Sequence, residues 1–293
     1  MSAAGGPHGA ATEAQEAAAE AHAAAAEAPA DATAPIGVFD SGVGGLTVVA
    51  ALARRLPDES IVYLGDTARL PYGSKSERTV TQYTRKNIDF LLACGVKAVV
   101  VACNTASALA LPHLEPRVPT WGVVGPGARR AAAVSGGRVG VIATESTVRS
   151  DAYGRALRAL VPGIRVESRA CPLFVPLVEE GWHDDPITEE VARRYLEPLL
   201  AGGIDTLVLG CTHYPLLRAV LARVAGDGVA LVDSAETVAG EVAAGLAEAG
   251  LAAPPGRTPT HRLFLTDTSE GFARLARRIL ADPAAEVSWV EVV

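Results

Sequence analysis

The sequence predicts an α/β protein of two pseudo-symmetric units, each with a mainly parallel, helix-covered sheet, and an active site in the cleft between them. Three observations carry this. From residue 34 onward, short strand-like runs alternate with helix-like segments, the signature of parallel sheets covered by helices. Several runs are continuously apolar and β-branched, as strands buried on both faces are. The order of features also repeats. Ile36-Gly37-Val38-Phe39-Asp40-Ser41 lies 67 residues before Cys103, and Val139-Gly140-Val141-Ile142-Ala143-Thr144 lies 72 residues before Cys211.

The chain has 293 residues, 49% of them hydrophobic, which suits one large or two ordinary domains. Residues 1–34 stand apart: 17 are alanine, and no large apolar side chain follows Met1. Alanine favours a transient helix over 11–28, but without an apolar face it has nothing to dock against and reads as a disordered tail. This tail supplies -5 of the net charge of -7, so the rest of the chain carries only -2. No basic stripe or basic-aromatic patch occurs, which argues against a nucleic-acid ligand. A small anion remains admissible, because backbone N–H groups can hold one without net positive charge. No apolar run approaches the roughly 20 residues that span a bilayer, and no secretory signal opens the chain. The expectation is a cytoplasmic protein with no membrane partner and with reduced cysteines, Cys94, Cys103, Cys171 and Cys211.

In chain order, the run 36–39 is the first strand. It stops at Asp40, and Gly42, Gly44 and Gly45 then permit a tight strand-to-helix turn and a close ligand approach. The spacing departs from G-x-G-x-x-G, so a dinucleotide is only a secondary reading. Asp40 ends a strand where open α/β sheets place their crevice. Further strands are expected over 61–64, 98–102, 120–124, 139–142, 164–167, 206–209, 230–232, 262–265 and 287–292, mostly short, apolar and bounded by Gly, Pro or Asp. Helices fall between them, for example over 76–94, 146–159, 188–201, 215–225 and 235–249. The body divides into residues 35–130 with 240–293, and 131–239.

Chemistry concentrates at two cysteines. Cys103-Asn104-Thr105 and Cys211-Thr212-His213 each follow a buried strand and open a strand-to-helix connection. A helix N-terminus there lowers a thiol pKa from about 8.5. Asn104, Thr105 and Thr212 offer hydrogen bonds to a small carboxylate or ammonium, and His213 can assist proton transfer at Cys211. Cys94 and Cys171 read as core residues. No C-x-x-C or H-x-x-x-H clip accompanies the thiols, so no metal is expected. A hydrolase with Cys103 as nucleophile and His213 as base remains open, but it leaves Cys211 without a role.

The stretches Gly37–Thr47, Gly65–Gly73 (Gly-Asp-Thr-Ala-Arg-Leu-Pro-Tyr-Gly), Ala102–Ser107, Gly122–Gly127 and Leu209–Leu217 are collinear. Together they resemble the cofactor-independent aspartate/glutamate racemase superfamily over about residues 36–275. The resemblance implies interconversion of L- and D-glutamate by proton transfer at the α-carbon, with no cofactor, in support of bacterial peptidoglycan synthesis. It implies Cys103 and Cys211 as the two proton donor/acceptors, Asp40 near the first and His213 near the second. Ser41, Tyr72, Gly73, Asn104, Thr105 and Thr212 become substrate contacts, and Glu179 contacts the ammonium or assists catalysis. Members are often dimers, which leaves room for a homodimer here. An aspartate or related amino-acid racemase is the nearest alternative, and a non-catalytic binding protein on the same scaffold is the alternative from another functional class.

Overall fold

The computed structural model describes residues 31–267, 276 and 287–292, so the expected helix over 11–28 lies outside the described residues. The strands are β1 (Ile36–Asp40), β2 (Ile61–Gly65), β3 (Ala98–Val101), β4 (Thr120–Gly122), β5 (Arg138–Ala143), β6 (Arg165–Ala170), β7 (Thr206–Gly210), β8 (Ala230–Asp233), β9 (His261–Leu265) and β10 (Val287–Trp289). They form a six-stranded sheet in the order β10-β9-β2-β1-β3-β4 and a four-stranded sheet in the order β6-β5-β7-β8. All of their described pairings are parallel. The segment β2-β1-β3-β4 repeats the order β6-β5-β7-β8 strand for strand. The internal repeat seen in the sequence is therefore a repeat of topology, extended in the first unit by β9 and β10.

Helices whose bounds fall among the described residues are α1 (Leu46–Arg55), α2 (Glu77–Ala93), α3 (Asn104–Leu109), α4 (Val124–Val134), α5 (Glu145–Arg149), α6 (Ala152–Leu160), α7 (Phe174–Glu179), α8 (Pro186–Ala201), α9 (Arg218–Ala225) and α10 (Ser234–Glu248). Strands β1, β2, β3 and β7 are buried at every position, which explains their unbroken apolar runs. Strand β6 instead alternates exposed and half-buried residues, so its apolar signal stops short while pairing with β5 carries it to Ala170. The single helix expected over 146–159 breaks into α5 and α6 at Asp151, whose φ of 51° is left-handed. The strand expected to reach 124 stops at Gly122, because Val124 already opens α4. Tyr214–Leu217 forms a 3-10 turn ahead of α9.

Helix α10 crosses from the second sheet to pack against α1, and Glu236 pairs there with Arg54. At the amino end of β3, Lys97 Nζ lies 2.6 Å from Glu59 Oε2 and donates to the Ala32 carbonyl. Glu59 Oε1 in turn accepts from the Ala253 N–H at 2.8 Å. Residues 31–34, grouped with the tail on composition, are thus tied to the first sheet. No described helix is long and apolar enough to cross a membrane.

Candidate active site

Parallel pairing brings the chemistry to the carboxyl ends of interior strands in each sheet. Phe39 is in register with Val101, so Asp40 and Cys103 leave adjacent strands side by side. Ala143 is in register with Gly210, so Thr144 and Cys211 do the same in the second sheet. Asp40 is the last residue of β1 and the other three follow their strands, so all four lie at strand carboxyl ends, where open α/β sheets bind ligands. Cys103 and Cys211 are free thiols, 5% and 7% exposed. Cys103 Sγ caps α3, accepting from the Ala106 N–H at 3.5 Å, and donates to Ser41 Oγ at 3.4 Å. Cys211 Sγ stands 3.9 Å from His213 Nδ1, and His213 Nε2 stands 3.2 Å from Glu179 Oε1. Asp40, wholly buried, accepts from the N–H groups of Gly42 and Gly45 at 3.1 and 3.0 Å. Its other oxygen accepts from Thr212 Oγ1 at 3.4 Å, which joins the two units across the cleft.

The remaining candidates surround these groups. Thr105 Oγ1 lies 2.9 Å from Thr144 Oγ1 and 3.2 Å from Thr147 Oγ1, and the latter two are 3.0 Å apart. Three hydroxyls from both units thus form one polar cluster beside Cys103. Asn104 is 3% exposed, and its Nδ2 has no hydrogen-bond partner. Tyr72 gives its hydroxyl proton to buried Asp66 and accepts from Asn87 Nδ2 at 3.0 Å. Neighbouring Gly73 faces Thr144 across the cleft. Glu179, expected at the ammonium or in catalysis, lies against the imidazole of His213. Thr144, Thr147 and Asp66 were missed as individual site residues. The repeat held a signal for one of them, because it aligns Thr144 with Ser41. Among the described residues no group of three His, Cys, Asp or Glu side chains is placed to hold a metal ion.

Residues 36–242 match the Asp/Glu/Hydantoin racemase family. The chain belongs to this racemase family. A glutamate racemase of Geobacter metallireducens is 50% identical over 260 residues, 88% of this chain and 96% of that protein. The structure of the Bacillus anthracis glutamate racemase isoform RacE1 superposes with a TM-score of 0.85 at 40% identity, covering 88% of this chain and 98% of the other. The Francisella tularensis glutamate racemase, solved in complex with D-glutamate, gives 0.84 at 36% identity, covering 89% and 98%.

The charges around the two thiols of this racemase-family member differ. Burial, then the charge of Asp40, pushes the Cys103 thiol up to about 12, and Cys211 adds to the rise. The hydrogen bonds that Cys103 shares with the Ser41 hydroxyl and the Ala106 N–H oppose this only in part. The expected lowering by a helix N-terminus is therefore overturned at Cys103. Helix α3 has six residues and turns one N–H to the sulfur at 3.5 Å, too little to offset a buried thiol beside a carboxylate. At His213, burial favours the neutral ring, but hydrogen bonds and charges at Cys211 and Glu179 outweigh it and hold the imidazole above its ordinary range. Burial raises Asp40, against the opposing charge of His213 and the N–H groups of Gly45 and Gly42.

Proposed function

We propose that this chain interconverts L- and D-glutamate without a cofactor, by proton transfer between Cys103 and Cys211, and supplies D-glutamate for peptidoglycan in the cytoplasm. One observation carries the reading. Two free, buried thiols follow equivalent strands, β3 and β7, of topologically repeated sheets, and their neighbours meet where Thr212 Oγ1 donates to Asp40 Oδ1 at 3.4 Å. Inversion at a carbon needs a base on one face and an acid on the other, and a two-fold repeat supplies that pair.

In each direction, one cysteine thiolate removes the α-proton and becomes a thiol, leaving the C–H electron pair on the α-carbon. The other thiol delivers its proton to the opposite face and becomes a thiolate. The weakly acidic α-proton requires hydrogen bonds to the carboxylate and a dry cavity, which Asn104, Thr105, Thr212 and the closed cleft provide. The threonine cluster adds Thr144 and Thr147 to these donors. Asp40 and His213 set the charge beside each thiol, and Glu179 acts through His213. The names of the relatives and the D-glutamate held by the Francisella protein support glutamate as the substrate.

The test is racemisation of L-glutamate by cofactor-free protein, followed by circular dichroism, with L-aspartate run in parallel. Cys103→Ala and Cys211→Ala are each expected to abolish net turnover of both enantiomers while leaving thermal unfolding in place. Full turnover in either variant overturns the two-thiol assignment, and faster turnover of aspartate overturns the substrate.

A further inference from the structure

We infer that Tyr153 is a positioning residue that sets the ligand preference of the site: it holds the side-chain carbonyl of Asn104 so that the Asn104 NH2 group faces the cleft as a donor for a substrate carboxylate. This deepens the proposed racemase reading and rests on it. Tyr153 lies on α6 of the second unit, outside every motif that the sequence singled out.

The hydrogen bonds dictate the orientation. Tyr153 OH donates to Asn104 Oδ1 at 2.7 Å and lies 3.0 Å from Ser234 Oγ. A phenol has one proton, and Asn104 takes it, so the Ser234 hydroxyl supplies its own. Burial pushes the Tyr153 phenol up, away from ionisation, so the donor persists at neutral pH. The other end of the amide is left over: Asn104 Nδ2 is buried without a partner, in a residue 3% exposed. An unpaired buried NH2 group is costly, and what completes it is an acceptor. A carboxylate oxygen is one; an ammonium group is not.

The ring of Tyr153 also touches the segment that carries the other thiol. A Cβ at Gly210, the residue before Cys211, would stand 3.1 Å from Tyr153 Cε2. A Cβ at Gly127 would stand 3.2 Å from both Cε1 and the hydroxyl. The ring is therefore gripped between α4 and the end of β7, with its hydroxyl on the residue after Cys103. Asn104 belongs to the first unit and Tyr153 to the second, so the amide is fixed only when the units are together. Closure and orientation of the carboxylate donor become one event.

The experiment measures binding of glutarate, and of its monoamide glutaramate, by calorimetry to the full chain, alongside racemase kinetics. Tyr153→Phe keeps the ring and removes only the donor. It is expected to weaken glutarate by about tenfold or more, to raise KM for both enantiomers more than it lowers kcat, and to narrow the preference for glutarate over glutaramate, because the freed amide can turn its carbonyl to the ligand. Ser234→Ala leaves the bond to Asn104 and is expected to cost at most about threefold. Asn104→Asp keeps an acceptor for Tyr153 and replaces the NH2 group alone, so it is expected to bind glutaramate better than glutarate whether or not Tyr153→Phe folds. Wild-type preference in Tyr153→Phe, an equal loss in Ser234→Ala, or wild-type glutarate affinity in Asn104→Asp overturns the inference. Binding needs no turnover, so a wild-type protein that binds glutarate but fails to racemise glutamate sinks only the racemase reading.

Discussion

Gly73→Ala separates closure of the cleft from the chemistry inside it. Gly73 sits in the 3-10 turn Tyr72–Ser74, and its backbone is not in the left-handed region, so alanine is not strained there. A Cβ at this position would stand 2.6 Å from Thr144 Cβ and 2.8 Å from Thr144 Cγ2. Carbon atoms rest at about 3.5–4.0 Å, so the two units must part by roughly 1 Å. Thr144 cannot swing aside: its Cβ is fixed to the backbone, and its hydroxyl lies 2.9 Å from Thr105 Oγ1 and 3.0 Å from Thr147 Oγ1. A displacement of about 1 Å in a reacting geometry costs on the order of 10²-fold. The substitution retains the Gly73 N–H and every side chain of the proposed machinery, and the clash lies between the units, so each sheet folds as before. The assay is kcat/KM in both directions, with thermal unfolding as control; both directions are expected to fall together by about 10²-fold at a nearly unchanged Tm. Activity within about threefold of wild type would refute the need for this close approach.

Three other outcomes follow from the same geometry. Burial, then Asp40, lifts Cys103 from its ordinary 9.0 to about 12, so the folded protein keeps a proton that the unfolded chain releases. That stability is whole below the unfolded value and is lost as pH rises toward the folded one, up to about 4 kcal/mol; Cys103→Ala is expected to flatten the alkaline fall in Tm, and an identical fall would count against it. Asp40→Asn removes the second cause of that rise, so Cys103 should ionise at lower pH by ultraviolet thiolate absorbance, and an unmoved titration would exclude Asp40 as a source. Lys97→Met strands the buried Glu59 carboxylate and is expected to cost about 3–5 kcal/mol in denaturant unfolding, with kcat unaffected because the pair lies at the amino end of β3; a silent substitution would mean that Glu59 is not held charged there.

The sequence made the strand ends legible because burial on both faces writes an unbroken apolar run, and each run of interest ended in a reactive residue. Asp40, Cys103 and Cys211 are visible on that ground alone, and the repeat pointed to two similar units, which share a strand order. The repeat spans two units whose helices differ, so it could be read only as a pattern. Thr147 and Tyr153 were not legible as site residues, and Thr144 was legible only through its alignment with Ser41, because their roles depend on contacts between the units. A threonine inside a short helix and a tyrosine on an amphipathic helix look like any others until the second sheet is laid against the first. The broken helix at Asp151 was hidden for a related reason: apolar spacing runs across the break, and only the left-handed φ reveals it. Local pattern likewise suggested a helix N-terminus as the dominant influence on Cys103. Burial, together with the charge of Asp40 from 63 residues away, lies outside any local window and reverses the sign.

The unequal surroundings of the two thiols constrain what kinetics can reveal. Cys103 stands under the charge of buried Asp40, whereas Cys211 stands 3.9 Å from His213, which is held above its ordinary range in part by Glu179. On the proposed two-thiol mechanism, the charge of Asp40 beside Cys103 favours a resting form with the proton on Cys103. That form is ready to receive one enantiomer and must exchange protons before it can receive the other. Mirror-image products are nonetheless equal in free energy, so kcat/KM must be the same in both directions whatever the protein does to either thiol. The asymmetry can appear only where the constraint allows, as a kcat and a KM that are both larger in one direction by the same factor. A change of charge at Asp40 or Glu179 that alters this factor while leaving the two efficiencies equal would therefore report the resting proton directly, where a comparison of efficiencies cannot.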